Sequence, residues 1–253
     1  MPFTPAHAAV SLPFIRRMRA ISVFGLVLGS MAPDFEYFIR LKPMSMGGHA
    51  IVGMFLLNLP LCLLLAVLYL NVLEDGLIQL LPEFIAKKWP RFGRSVKSYA
   101  IAEWINFIFW TLVGMLTHIT WDAFTHSTGM GVQLLPVLNS VIQMGPLEAP
   151  VYKFLQHGST LIGLSALTIH ILLRKSRRRM PQPVENLTKL RLIFFGIIVA
   201  LGLVRFIIFK TPNLDAIGEW VVSLISYSFI SWTAISLLIK KNAYRAIQEF
   251  LAN

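Results

Sequence analysis

Apolar residues run along this chain in long blocks separated by short polar or basic stretches. The blocks at about 49–73, 99–121, 154–173, 190–209 and 217–239 each approach or exceed the roughly 18–20 residues a helix needs to cross a bilayer. They predict five full spans. Ahead of them stand two shorter apolar pieces. The first opens at Thr4, read as its N-cap, with Pro5 at the first helical position; the second runs from Ile21 to Met31 and stops at Pro33. Between His7 and Arg16 there is helix for only roughly 14 Å, against a membrane core of ~30 Å. Residues 4–34 are therefore expected to form a helical hairpin that enters the bilayer and returns. Residues 74–97 and 127–152 read as loops, the second carrying only Glu148 as a charge.

The expectation is an all-α, polytopic transmembrane bundle forming one integral membrane domain over 1–253. It comprises the N-terminal hairpin and loop (1–48), three site-bearing spans (49–173) and two further spans (190–240).

Composition agrees. The chain is 56% hydrophobic and 14% charged, with a mean hydropathy of +0.66, more apolar than a soluble domain of this size requires. The net charge of +11 does not read as a nucleic-acid surface, because the basic residues sit in short clusters between spans. Those at 16–19, 87–97, 174–179, 189–191 and 240–245 fall on one side, and only Arg40, Lys42, Lys153 and Lys210 on the other. The positive-inside rule puts the richer side, and the C-terminus, in the cytoplasm. The single Cys62 permits no intrachain disulfide. The N-terminus lacks a basic segment before its apolar stretch, so it is expected to be retained.

This topology gathers the candidate chemistry at one boundary. His118 and Asp122 are four residues apart near the end of an apolar run, on one face of a helix, where two such groups can grip one ion. Ionisable groups in such runs are costly and are functional candidates by default. His126 repeats the spacing, but a straight helix puts it roughly 12 Å from His118; it joins the same ion only if the helix breaks first, as Ser127, Thr128 and Gly129 suggest. His7, Asp34, His49 and His157 fall at the same, outer, boundary, and His170 at the inner one. Plainer readings stand beside these: an N-cap for Asp34, an interfacial side chain for His49, a solvated ring for His126. Glu36 is a general base, a support for a ligand, or a solvated loop acid. Arg205 interrupts a span and is read as snorkelling to the interface.

Met1-Pro-Phe-Thr-Pro-Ala-His7, Gly29-Ser-Met-Ala-Pro-Asp34, the following His49 and Gly114-x3-His118-x3-Asp122 together resemble a bacterial inner-membrane family of unknown function whose chains begin MPFTPAHAA. That family resembles in turn the LexA-regulated membrane-bound metal-dependent hydrolases and, more remotely, zinc-dependent phospholipase C. The resemblance covers roughly residues 1–160; where those hydrolases carry Thr-His, this chain has Ala6-His7. It implies His7, Asp34, His49, His118 and Asp122 as metal ligands. Topology adds His126 and His157, and Asp34 and Glu36 are the carboxylates expected to serve catalysis.

A His-rich set with carboxylates and no thiolate suits Zn first, then Mn or Fe, and so many ligands suggest one or two ions with a bridging water. The expected activity is hydrolysis of a phosphoester or lipid-linked substrate at the outer leaflet of the inner membrane, with membrane lipid as partner and no nucleic acid. There is no Gly-x-Ser-x-Gly and no phosphate-cradling glycine loop. A transporter or metal-handling protein, or a structural membrane protein whose metal staples the helices, would use the same residues.

Overall fold

A computed structural model describes residues 3–44, 47–92, 96–176, 186–209 and 216–240. The basic clusters at Arg94, Arg177–Arg179, Lys210, Lys241 and Arg245, and the segments 181–183 and 211–215, lie outside these residues. The fold is helical, as expected. We label α1 (Ala20–Met31), α2 (Phe35–Arg40), α3 (Ile51–Leu80), α4 (Ile101–Thr125), α5 (Val151–Leu173), α6 (Leu187–Phe209) and α7 (Ile217–Ile239).

Among the described residues four helices, α3, α4, α6 and α7, are long and apolar enough to cross a membrane. Their exposed side chains are those of a lipid-facing surface: Leu64 on α3, Phe109 on α4, Phe195 and Ile207 on α6, and Leu224 on α7. The chain is thus a membrane protein by its own surface. α5 forms over the expected residues; Lys153, Gln156, His157, Ser159 and Thr160 make its first turns more polar than those of the other four.

The contacts divide the chain into two compact units, one from 1–34, 47–64 and 99–174, the other from 35–46, 65–98 and 175–253. In the first, a 3-10 helix over Thr4–Ser11 and α1 form the expected hairpin, with Arg16, Arg17 and Arg19 exposed between them. α1 crosses α4 backbone to backbone. A Cβ at Gly29 would strike the Thr111 carbonyl, and one at Gly114 would come within 2.5 Å of the Leu26 carbonyl oxygen; glycine at both positions sets the separation of the two helices.

Three details differ from expectation in this unit. Phe3, not Thr4, caps the first helix, with Pro at its first turn; the Thr4 hydroxyl is engaged elsewhere. Residues 141–150 are not an open loop. Val141–Met144 (β1) pairs antiparallel with Leu147–Pro150 (β2), and Gly145 takes the left-handed conformation the turn needs (φ 62°). Before β1, Met130–Leu134 forms a short helix.

In the second unit α3 runs to Leu80, past the expected end at Leu73. No proline follows Leu73 before Pro82, Glu74 is buried, and Gly76 lets this stretch press against Ser236 of α7. Arg205 on α6 does not snorkel. It is buried and donates to the Ser223 hydroxyl, to Glu219 Oε2 at 3.3 Å and to the Leu41 carbonyl at 3.1 Å, so its charge is paired where no water need reach it.

Candidate metal centre

His118 and Asp122 stack on one face of the last turns of α4, as their spacing dictates. The ring of His118 is fully buried, and its Nδ1 lies 2.7 Å from the Ser30 carbonyl oxygen. A carbonyl only accepts, so Nδ1 carries the hydrogen and Nε2 presents a lone pair. Ser30 occupies that place because the glycine contacts between α1 and α4 bring its backbone against the ring. A ligand histidine is commonly oriented in this way by a bond to its other nitrogen.

Two further pieces of chain, and Asp122 of α4 itself, meet that lone pair. α1 ends in a 3-10 turn, Ala32–Asp34, which delivers a fully buried Asp34. The Thr4 hydroxyl donates to Asp34 Oδ2 at 2.6 Å, leaving Oδ1 to face His118 Nε2 at 3.6 Å and His49 Nε2 at 3.5 Å. His49 lies just before α3. Its loop is tied down by Asn58, whose amide donates to the Gly48 carbonyl at 2.7 Å from a π-helical turn at Met54–Asn58. Asp122 completes the set, with Oδ2 3.3 Å from His118 Nε2 and 3.6 Å from His49 Nε2. Ligand atoms of Asp34, His49, His118 and Asp122 all lie within 4.8 Å of one another.

These spacings fit the donors to an ion. Two ligand atoms each about 2.1 Å from a tetrahedral centre sit about 3.4 Å apart. Moreover, His118 Nε2, Asp34 Oδ1, Asp122 Oδ1 and His7 Nε2 are buried with no hydrogen-bond partner. Buried polar atoms are rarely left so, and a cation shared by the foursome would satisfy His118 Nε2 and Asp34 Oδ1 together.

His7 belongs to the same cluster but outside that foursome. Its ring stacks on His118 with centroids 3.9 Å apart, and its Nε2 lies 3.7 Å from Asp122 Oδ1. Burial lowers its pKa to about 4, so its ring is neutral at neutral pH. The two oxygens of Asp122 thus look in two directions, Oδ2 toward His118 and His49, Oδ1 toward His7.

α4 does break at His126, which takes an extended conformation as its C-cap. Its Nδ1 donates to the Asp122 carbonyl at 3.0 Å and also lies 3.7 Å from Asp122 Oδ1. That nitrogen closes the helix end, and burial shifts its pKa downward.

Two expected residues stand apart. α5 meets the N-terminal helix at Thr160, whose hydroxyl accepts from the Phe3 N–H at 2.9 Å, and at Gly163, which lies against Ala6; Gln156, one turn before Thr160, is buried. His157, one residue round the helix from Gln156, is exposed and lies outside the cluster. The contribution of α5 is to hold the segment that carries His7. Glu36 is buried in the second unit, where its Oε1 accepts from Arg40 Nε at 2.8 Å.

Thr4, read in the sequence as an N-cap, and Ser30 and Asn58 were not among the residues expected at the site. Asn58 alone left a signal, a lone amide in an apolar span; the role of Ser30 is played by its backbone and carries no sequence signature.

No curated protein and no solved structure matches the chain. A family model described as "Domain of unknown function (DUF4184)" matches residues 1–241, and the chain belongs to that family.

Proposed function

We propose that this protein is a membrane-bound metal-dependent hydrolase acting on phosphoester or lipid-linked substrates. The observation that supports this most is the meeting of Asp34, His49, His118 and Asp122 from three separate pieces of chain, spaced to share a cation, with Asp34 Oδ1 and His118 Nε2 buried and without a hydrogen-bond partner. Nitrogen and carboxylate donors without thiolate suit Zn, with Mn or Fe as alternatives. A divalent ion held here supplies the Lewis acidity that lowers the pKa of a water and stabilises negative charge on a phosphoryl oxygen.

The remaining work falls to the chain. Ser30 fixes the His118 ring and Thr4 fixes the Asp34 carboxylate. Asp34 is the carboxylate we assign to catalysis, through the ion it would help to hold; Glu36, held by Arg40, is given no role in the reaction. Asp122, whose oxygens face His118 and His7 separately, would serve as a ligand on the His118 side. The side chain of His49 is 27% exposed, which leaves the cluster approachable. That favours a reactive site over a closed structural staple. The placement of the site on the outer leaflet rests on the charge asymmetry of the loops.

The test is hydrolysis of a soluble phosphodiester, bis-p-nitrophenyl phosphate, and of phospholipid vesicles by purified protein loaded with Zn or Mn. Metal-dependent turnover of either substrate, abolished in D34N, supports the proposal. Turnover that survives D34N, or none with any of these metals, removes it.

A further inference from the structure

The stretch that follows His126 has no use in the metal centre and is unusual for a segment between helices. No Asp, Glu, Lys or Arg occurs between His126 and Glu148. It is nevertheless a built element. The Asn139 amide donates to the Val132 carbonyl at 3.1 Å, the Val151 N–H to the Ser140 carbonyl at 3.1 Å, and Val132 and Leu138 turn inward. Gly131 lies against the Phe124 ring, which seats the short helix Met130–Leu134 on the last turns of α4.

The same element displays Met130, Leu134, Leu135, Val137, Val141 and Ile142 outward, Leu134 at 71% and Val137 at 63% exposure. Large apolar side chains held outward on an uncharged scaffold are not what water-facing loops carry. This surface continues that of the membrane-crossing α4, whose exposed Trp121 and Phe124 stand beside Asp122 and just before His126.

We propose that Met130–Ile142 is inserted into the membrane interface, and that it opens the metal centre to the bilayer. The substrate is then a lipid bearing a phosphoester head group, reached from within the leaflet. The occupant of the apolar surface is the bilayer that holds α4, because the two surfaces are continuous and the element has no charge that would keep it in water. The substrate half of this inference rests on the proposed hydrolysis; the insertion half does not.

The experiment places a spin label at Leu134→Cys and, separately, at Val137→Cys, in a Cys62→Ala background reconstituted in phospholipid bilayers. Collisions with oxygen, which concentrates in the bilayer, are compared with those of a water-soluble nickel chelate. Oxygen should dominate at both positions, as at a label on the lipid-facing Ile207, and the chelate should dominate at Glu83. Dominance of the chelate at 134 and 137 overturns the inference, as does shielding from both reagents, which would mean a protein or a second copy covers the surface.

In the second arm, L134E/V137E should slow turnover of a vesicle phospholipid by roughly tenfold or more while leaving bis-p-nitrophenyl phosphate hydrolysis and metal content intact. Equal loss of both activities contradicts delivery from the bilayer. A parent protein that hydrolyses neither substrate removes the proposed hydrolysis and the lipid substrate with it, while the label depths still decide insertion.

Discussion

The Nδ1 of His118 rests 2.7 Å from the carbonyl oxygen of Ser30, so the orientation of a candidate ligand on α4 is set by the backbone of α1. That backbone is close enough only because Gly29 and Gly114 lack side chains. Gly29→Ala should therefore force the helices apart, destabilising the fold by about 1–3 kcal/mol and weakening metal retention with every ligand still present. Thermal unfolding in detergent with and without added metal measures both. A destabilised variant with unchanged metal affinity would uncouple the helix crossing from the site.

Asp34 owes its orientation to the hydroxyl of Thr4, 2.6 Å from Oδ2. Removing a partner of this kind from a ligand typically costs about 10–100-fold in metal affinity. Thr4→Val, nearly the same shape, should show a loss in that range by competition against a chromogenic chelator, and Thr4→Ser should restore most of it. Equal affinity in Thr4→Val would mean that packing alone holds the carboxylate.

Protonation of His7 supplies a pH dependence with a definite sign. Its pKa of about 4 in the folded protein lies below the ordinary 6.5, so between these values the unfolded chain binds more protons and stability rises with pH. The contribution is complete above about pH 6.5 and is lost as pH falls toward 4. In full it is about 3 kcal/mol. Melting temperature of the metal-free protein should fall over that window, and His7→Gln should flatten the part due to this ring. An unaltered slope in His7→Gln contradicts the assignment.

In the other unit, Arg205 is buried against Glu219, Ser223 and the Leu41 carbonyl. Arg205→Met should destabilise the protein by about 1–3 kcal/mol, below the usual cost of stranding a buried charge because Glu219 is a quarter exposed. Adding Glu219→Gln should recover part of the loss. No recovery in the double variant would locate the effect in packing instead of charge.

Much of this was legible along the chain, for reasons that are local. Hydropathy marked the membrane-crossing helices, because burying twenty apolar residues leaves a composition no loop imitates. The four-residue spacing of His118 and Asp122 fixed their common face, and the polar run after Thr125 marked the break at His126. The assembly of His7, Asp34 and His49 around them followed from counting helix ends on one boundary.

What escaped the reading was tertiary. Whether Gln156 or His157 is buried depends on about 100° of helix rotation, set by where Gly163 admits Ala6. Thr4 was free to cap its helix until Asp34, thirty residues on, claimed its hydroxyl. The β1–β2 hairpin escaped because Pro146, Gly145 and an apolar uncharged stretch are equally the marks of a loop.

The central claim is that the donors of Asp34, His49, His118 and Asp122 hold an ion. Its most direct measurement is metal content, by mass spectrometry, of the detergent-purified protein after incubation with Zn and desalting, beside H118A and D122A prepared in the same way and checked for folding. At least one ion per chain in the unaltered protein, and loss of it in each variant, is the predicted result. No stoichiometric ion in the unaltered protein, or the same content in all three, would contradict it.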